Sequence, residues 1–311
     1  MSYTHLTTSE LPKTLLEAVS YFSDLDGANE FVASLRWSNG PVCPRCFGKE
    51  HSYLTTRRLW KCKACKRQFS VKVGTIFEDS SLGLNKWLPA VWLIANSKNG
   101  ISSHELARAL GVTQKSAWFM LHRIRLAMQR GDFGKFDGTV EVDETYIGGK
   151  AANMHKHIRE ARVSGRGNVG KTGVQGARQR ESRTVHAEVI GGESLAANVA
   201  KWVEPGSVVY TDDAKAYHGL GKTFAHSSVV HDFEYVRGAA HTNGIENFWA
   251  LLKRGLHGTY VSVDPVHLFR YVDERAFTVN LRDLTDLGRF SAVLQSVAGR
   301  RLTYAEQIDH S

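Results

Sequence analysis

Val140-Glu-Val-Asp-Glu-Thr-Tyr-Ile147 is the stretch on which the reading of this chain turns. β-Branched and aromatic residues crowd it, and these fit a pleated, half-buried surface. A strand turns successive side chains to opposite faces. Glu141, Asp143 and Thr145 then share one face, while Val140, Val142 and Glu144 share the other. Asp143 is the better candidate metal ligand, with Glu144 its neighbour at the strand's end. A second strand-like run, 207–211, leads into Asp212, with Asp213 as its competitor. Strand-end acids commonly meet ligands in open α/β sheets, although either aspartate alone would equally suit a turn.

A third acid, Glu246, follows Asp212 after 33 intervening residues and opens an amphipathic helix striped by Ile245, Trp249, Leu252 and Leu256. Asn243-Gly-Ile-Glu246 also reads as a capping box, which would turn Glu246 towards backbone instead of metal. Lys253 lies two helical turns beyond Glu246 on nearly the same face, placed to grip a substrate phosphate. Arg254 adds charge beside it. Two strand-borne carboxylates and a third near a helix start predict a site for two divalent cations. That arrangement cuts and joins phosphodiesters by in-line displacement.

Working outward, 139–147, 184–190 and 207–211 read as strands and 195–203 as a helix. The Gly- and Arg-rich stretch 148–182 reads as a long functional loop. Within it, Gly-Arg-Gly-Asn-Val-Gly-Lys-Thr (165–172) fits the P-loop pattern letter for letter. A P-loop needs a buried strand before it and a helix after it. The charged residues before and the glycines after predict neither, so the match reads as chance.

Upstream lie all four cysteines, Cys43-Pro-Arg-Cys46 and Cys62-Lys-Ala-Cys65, spaced C-x2-C, fifteen residues, C-x2-C. Two such knuckles supply a tetrahedral thiolate cage for structural Zn²⁺. Lys61, Lys63, Lys66 and Arg67 surround the second knuckle, where they would steady thiolates or touch DNA phosphates. Residues 85–130 read as helix, helix, turn, helix. Ser102 or Ser103 caps the second, Gly111 marks the turn, and a third starts near Thr113: helix-turn-helix grammar. Gln114, Lys115, Trp118, His122 and Arg123 are expected to be available on the last helix.

The chain of 311 residues carries a net charge of +9. Residues 36–75 contribute ten Lys/Arg against one acid, and 150–183 nine against two. Blocks this concentrated favour a polyanionic partner. No apolar run approaches the roughly 20 residues of a membrane span, and the polar N-terminus lacks a secretory pattern. A cytoplasmic, nucleoid-associated protein is expected. The domain reading is a helical segment 1–35, a zinc ribbon 36–75, a helix-turn-helix 85–130, a catalytic domain 137–285 and a tail 286–311 without a readable role.

The residues resemble the IS1595-type (ISXO2-like) insertion-sequence transposases of the DDE transposase and integrase superfamily. The likeness rests on Val-Asp-Glu-Thr-Tyr-Ile-Gly-Gly-Lys (142–150), Val-Tyr-Thr-Asp (209–212) and His-Thr-Asn-Gly-Ile-Glu-Asn-Phe-Trp (241–249). Leu-Lys-Arg-Gly (252–255), Gly-Thr-Tyr (258–260) and Tyr-Val-Asp-Glu-Arg (271–275) continue it, and the cysteine module resembles the family's zinc ribbon. The resemblance implies an α/β, RNase H-like catalytic domain with a mixed sheet flanked by helices. It implies two Mg²⁺ or Mn²⁺ per active site, hydrolysis at the element's terminal repeats, and attack of the freed 3′-OH on target DNA. It further implies a homo-oligomer working on paired DNA ends. Asp143 matches the first aspartate and Asp212 the second. The third position is Glu or Asn in this family, so Glu246, Asn243 and Asn247 all stand, and the spacing from Glu246 to Lys253 favours Glu246. The competing readings are a zinc-ribbon and helix-turn-helix DNA-binding regulator with an inactive RNase H-like domain, and a nuclease of the same fold that does not join strands.

Overall fold

The computed structural model describes residues 11–129, 134–148, 170–212, 215–229 and 241–308. The chain divides into two compact units, Met1–Gln129 with Leu281–Ser311, and Arg130–Asn280.

The first unit begins with α1 (Leu15–Tyr21) and α2 (Leu25–Arg36). Asp24 separates them by capping α2, its carboxylate accepting the Gly27 N–H. A three-stranded antiparallel ribbon follows: β1 (His51–Leu54), β2 (Leu59–Cys62) and β3 (Gln68–Phe69). Trp37, Trp60 and Phe69 pack together beneath it. Then come α3 (Leu84–Asn96), α4 (Ser103–Leu110) and α5 (Gln114–Met128). Ser102 and Glu105 form a full capping box on α4, Gly111 ends it at φ 63°, and Thr113 caps α5. The expected helix-turn-helix grammar is therefore built from caps and one left-handed glycine.

The segment expected to be a tail has a structural role. It forms α9 (Asp286–Gln295) and α10 (Tyr304–Ile308) and belongs to the first unit. Phe290 is fully buried against Phe22, Phe31 and Trp92, which ties α9 to α2 and α3. Burying one such aromatic removes a large apolar area from water. Sequence periodicity could not show this, because Phe290 lies about 200 to 270 residues from its partners along the chain. Leu15, Leu16 and Val19 of α1 are exposed.

The second unit is a five-stranded mixed sheet in the order β6-β5-β4-β7-β8. Its strands are β4 (Thr139–Ile147), β5 (Thr172–Gln179), β6 (Val185–Val189), β7 (Val208–Asp212) and β8 (Ala225–Val229). β4, β5 and β6 are antiparallel; β7 and β8 run parallel to β4. Helix α6 (Leu195–Trp202) covers one face, packing Val199 and Trp202 on Val140, Val142 and Val209. Helices α7 (Asn243–Gly255) and α8 (Leu268–Asn280) cover the other, over Val174, Val185 and Ala187. This is the RNase H-like architecture.

Two strands escaped the pattern reading. Residues 172–179, read as loop, form the strand beside β4. Thr-Gly-Val-Gln-Gly-Ala-Arg-Gln hides its strand character because glycines occupy positions of close approach. A Cβ on Gly173 would lie 2.6 Å from Ile190 Cδ1, and one on Gly176 would lie 2.8 Å from Trp249 Cη2. β8 was also unread. The P-loop match reaches into β5: Thr172 starts a strand where a P-loop needs a helix, and residues 165–169 lie outside the described residues.

Candidate functional site

β4 and β7 pair in parallel only as far as Glu141 opposite Tyr210. Two residues further along each strand come Asp143 and Asp212. One carboxylate oxygen each from Asp143, Glu144 and Asp212 lie within 4.8 Å of one another. The competitor Asp213 lies outside the described residues. Asp143 is pushed up to about 7, first by burial and then by the charges of Asp212 and Glu144. Burial raises Glu144 as well. Carboxylates held together at such a cost of desolvation and repulsion form a hard, oxygen-rich donor set that fits Mg²⁺ or Mn²⁺.

Neighbours fix these acids. Trp249 Nε1 donates to Asp143 Oδ2 at 2.9 Å, its ring passing over Gly176, the residue paired with Asp143 on β5. Tyr217 is buried and donates its hydroxyl to Glu144 Oε2 at 2.7 Å. Gln175 Nε2 reaches the same hydroxyl at 3.3 Å and the Leu195 carbonyl at 2.9 Å, while Asn198 donates to Gln175 Oε1. A chain of buried amides and a phenol thus holds Glu144 in place.

Glu246 is not in the carboxylate cluster. It is exposed on the first turn of α7, where its Oε1 accepts from Thr242 Oγ1 at 2.7 Å. The rival capping box with Asn243 as N-cap is not formed: Asn243 is already helical and Thr242 precedes the helix without a side-chain cap. A distant acid caps instead, Glu141 Oε2 accepting the Ile245 N–H at 2.9 Å. Asn243 and Asn247 are exposed, Lys253 is half-buried and Arg254 exposed. Glu246 precedes Trp249 by three residues and Lys253 follows it by four. Helix geometry therefore sets all three in one row, with the middle member touching Asp143.

The four cysteines form the second cluster, their Sγ atoms also within 4.8 Å of one another. Cys43 and Cys65 are 3.6 Å apart and Cys46 and Cys62 3.5 Å. Sulfurs at tetrahedral corners about 2.3 Å from zinc would be about 3.8 Å apart, so the cage fits the ion. Both knuckles have the same build. Phe47 N–H returns to Cys43 O and Lys66 N–H to Cys62 O, with Phe47 at φ 58° and Lys66 at φ 61°. Burial opposes ionising Cys43, but the backbone N–H groups of Cys46 and Arg45 bring it to about 7. The Gly48 N–H favours the Cys46 thiolate, yet the crowding thiols of Cys65 and Cys62 push it up to about 11. Such a set ionises fully only around a cation.

Among the expected DNA contacts, Lys61, Lys63, Lys66 and Arg67 are exposed around the second knuckle. Gln114 and Lys115 are exposed at the start of α5, Gln114 bonded to Ser103 Oγ and Lys115 resting over the Tyr304 ring. Arg123 does not belong with them. It is 1% exposed, lies against the Phe119 ring and donates to the carbonyls of Ile76 and Glu78. Almost every residue of α5 from Met120 onward is buried, so His122 is unavailable too. The second basic block needs the same correction. Arg178 and Arg180 are half-buried and pair with Glu141, at 3.6 Å and 2.8 Å. Lys150 to Arg166 lie outside the described residues. The role of Glu141 was readable in principle: it shares a strand face with Asp143, and a buried acid demands counter-charge.

Residues 135–280 match the family model described as the ISXO2-like transposase domain, and residues 26–68 match the transposase zinc-ribbon domain. A protein of Halobacterium salinarum, "Uncharacterized protein in transposable element ISH50", is 28% identical over 252 residues, covering 76% of this chain and 84% of that protein. A chain in a simian T-cell lymphotropic virus intasome, solved in complex with PP2A regulatory subunit B56 gamma, is 14% identical. That match covers 54% of this chain and 62% of the viral complex's chain, at a TM-score of 0.25 that bears no weight in the fold assignment. The zinc ribbon and the five-stranded domain thus each match a model of one family, the IS1595-type, ISXO2-like transposases.

Proposed function

We propose that the protein cleaves the ends of an insertion sequence and joins the freed 3′-OH to target DNA, with two divalent cations at Asp143, Asp212 and a third ligand. The observation that carries this is the acid cluster just beyond the last β4–β7 pair, with Trp249 of α7 on Asp143. Bound Mg²⁺ or Mn²⁺ supplies Lewis-acid activation of the attacking and leaving oxygens. Asp143 and Asp212 hold that charge from adjacent strands. Glu144, kept in place by Tyr217, completes the preformed acid group, and Glu246 is the helix-borne third ligand, one turn ahead of the indole that touches Asp143. Lys253, one turn behind it, grips a phosphate of the scissile strand. The zinc ribbon and the start of α5 carry Lys61, Lys63, Lys66, Arg67, Gln114 and Lys115 to duplex DNA. The substrate puts the protein at the nucleoid, as a homo-oligomer on paired ends. No helix among the described residues is long and apolar enough to cross a membrane.

Strand-transfer assays on a terminal-repeat duplex test the reading in Asp143→Asn, Asp212→Asn, Glu144→Gln, Glu246→Gln, Asn243→Ala and Asn247→Ala. Loss of cleavage and joining in the two Asp variants and in Glu246→Gln is expected. Full activity in Glu246→Gln with loss in Glu144→Gln or an Asn variant would move the third ligand there. Tight binding without cleavage by the unaltered protein would favour the DNA-binding regulator. Nicks without joints would favour the nuclease.

A further inference from the structure

We propose that Arg180 is a positioning residue that sets the three acid-bearing segments against one another. The inference rests on the phosphodiester reading above. Arg180 follows directly on β5 and belongs to none of those segments, yet it touches all three. Its Nε donates to Glu141 Oε1 at 2.8 Å, two residues before Asp143 on β4. Its guanidinium lies 4.5 Å from the centre of the Tyr210 ring, two residues before Asp212 on β7. Its Nη2 donates to the His241 carbonyl at 2.5 Å, five residues before Glu246.

The place of this node in the sheet explains the need for it. The β4–β7 ladder ends at the pair Glu141 and Tyr210, and both acids lie just beyond it. Backbone pairing therefore stops short of the residues whose separation matters, and Arg180 clamps the last pair from the side. Glu141 extends the clamp to α7. Fully buried, it accepts from Ile245 N–H at the helix start and lies 3.6 Å from Arg178 Nη1 and 3.5 Å from His241 Nδ1. A carboxylate suits a helix N-terminus. A Cβ at 244 would strike Arg178 Nη1 and come within 2.6 Å of Glu141 Oε2, so any larger residue would push these side chains out of place.

The residue type fits this task. Arginine offers a planar fork to one partner, a further N–H to a second and a flat face to an aromatic ring; lysine offers a single compact ammonium. Arg180→Lys keeps the charge and loses that geometry.

The test uses the full chain, with Mn²⁺ titrated by calorimetry and single-turnover cleavage of a terminal-repeat duplex at saturating Mn²⁺. Arg180→Lys and Arg180→Met are expected to lower Mn²⁺ affinity and the cleavage rate by about 10- to 100-fold, as outer residues of metal sites do, with DNA affinity unchanged. Unchanged Mn²⁺ affinity and rate in both variants would overturn the proposal. Weaker DNA binding with an intact rate would also overturn it, making Arg180 a phosphate contact. Should both variants fail to fold, Tyr210→Leu removes the ring and leaves the ion pair, and Glu141→Gln keeps the shape and removes the charge. Wild-type Mn²⁺ affinity in both of those would likewise sink the idea. An unaltered protein that binds no Mn²⁺ would count against the phosphodiester reading itself, whatever the Arg180 variants do.

Discussion

The cysteine cage and the acid cluster are both sets of metal donors, but the chain assembles them in opposite ways. The cage draws its four sulfurs from residues 43–65, on two turns of the same local build. Each knuckle shapes itself through hydrogen bonds within six residues, and the ribbon around it packs on Trp37, Trp60 and Phe69. The acids come from the middle of β4 and the end of β7, with the helix that carries Glu246 fixed to them by Trp249 and Glu141. Their neighbourhood is shaped by a sheet, two helix layers and a buried ion cluster. The difference separates a site that the ion builds from a site that the fold builds.

The largest expected effect follows from that contrast. Stripping zinc with a strong chelator, or replacing Cys62 with Ser, should unfold the ribbon, because structural zinc supplies on the order of 10 kcal/mol to such modules. Near-ultraviolet circular dichroism should lose the Trp37–Trp60 signal while Mn²⁺ binding at the acids persists. Mn²⁺ binding lost together with zinc would break the comparison.

Asp143→Asn should act in the reverse sense. Cleavage should fall by about 10³-fold, the scale of removing one group that stabilises transition-state charge, while the fold survives. The metal-free protein should even gain from the change at neutral pH. The folded state holds a proton on Asp143 up to about 7, whereas an unfolded Asp releases it near the ordinary 3.8. Stability therefore falls as pH rises through that window. Thermal melts of Asp143→Asn without metal should lose this slope, and Mn²⁺ affinity of the unaltered protein should rise with pH up to about 7. A flat wild-type profile would show that the acids are not held together before metal arrives.

A smaller effect tests whether the fold alone holds the acids. Gly176→Ala puts a methyl group into the Trp249 ring, and overpacking of this kind costs about 1–3 kcal/mol. The indole must move off Asp143, so cleavage should fall while zinc content stays at the wild-type level. Tryptophan fluorescence would report the shift, and unchanged activity with a displaced indole would remove Trp249 from the site.

The same contrast decides what was legible in the sequence. Cysteine spacing carries its geometry with it, so the ribbon was readable outright, as were the α4 cap and the Asp143 strand. β5 was not, since its buried run Val174-Gln-Gly-Ala177 alternates in no apolar stripe: Gln175 is polar and Gly176 has no side chain. Arg123, and the second basic block that contains Arg180, read as phosphate contacts because charge alone does not distinguish a solvated guanidinium from one that satisfies buried carbonyls or a buried carboxylate. Glu246 stayed ambiguous for a related reason. Its capping rival needed Asn243 to stand outside the helix, and the helix is capped by Glu141 from another strand instead.

The smallest effect concerns the lysines beside the cage. Four thiolates around Zn²⁺ carry a net charge of about −2, which gives Lys61, Lys63, Lys66 and Arg67 a structural use beside the DNA contact proposed for them. Exposure separates the two uses: screened surface charges contribute little to stability, whereas each phosphate contact adds about 0.9 to the salt slope of duplex binding. Lys63 is exposed. Lys63→Gln should leave zinc content and melting temperature unchanged, weaken DNA binding by a few-fold, and reduce the salt slope by about one contact. Weaker zinc retention with an unchanged slope would assign the lysine to the thiolates. The cage would then, like the acid cluster, depend on side chains beyond its own ligands.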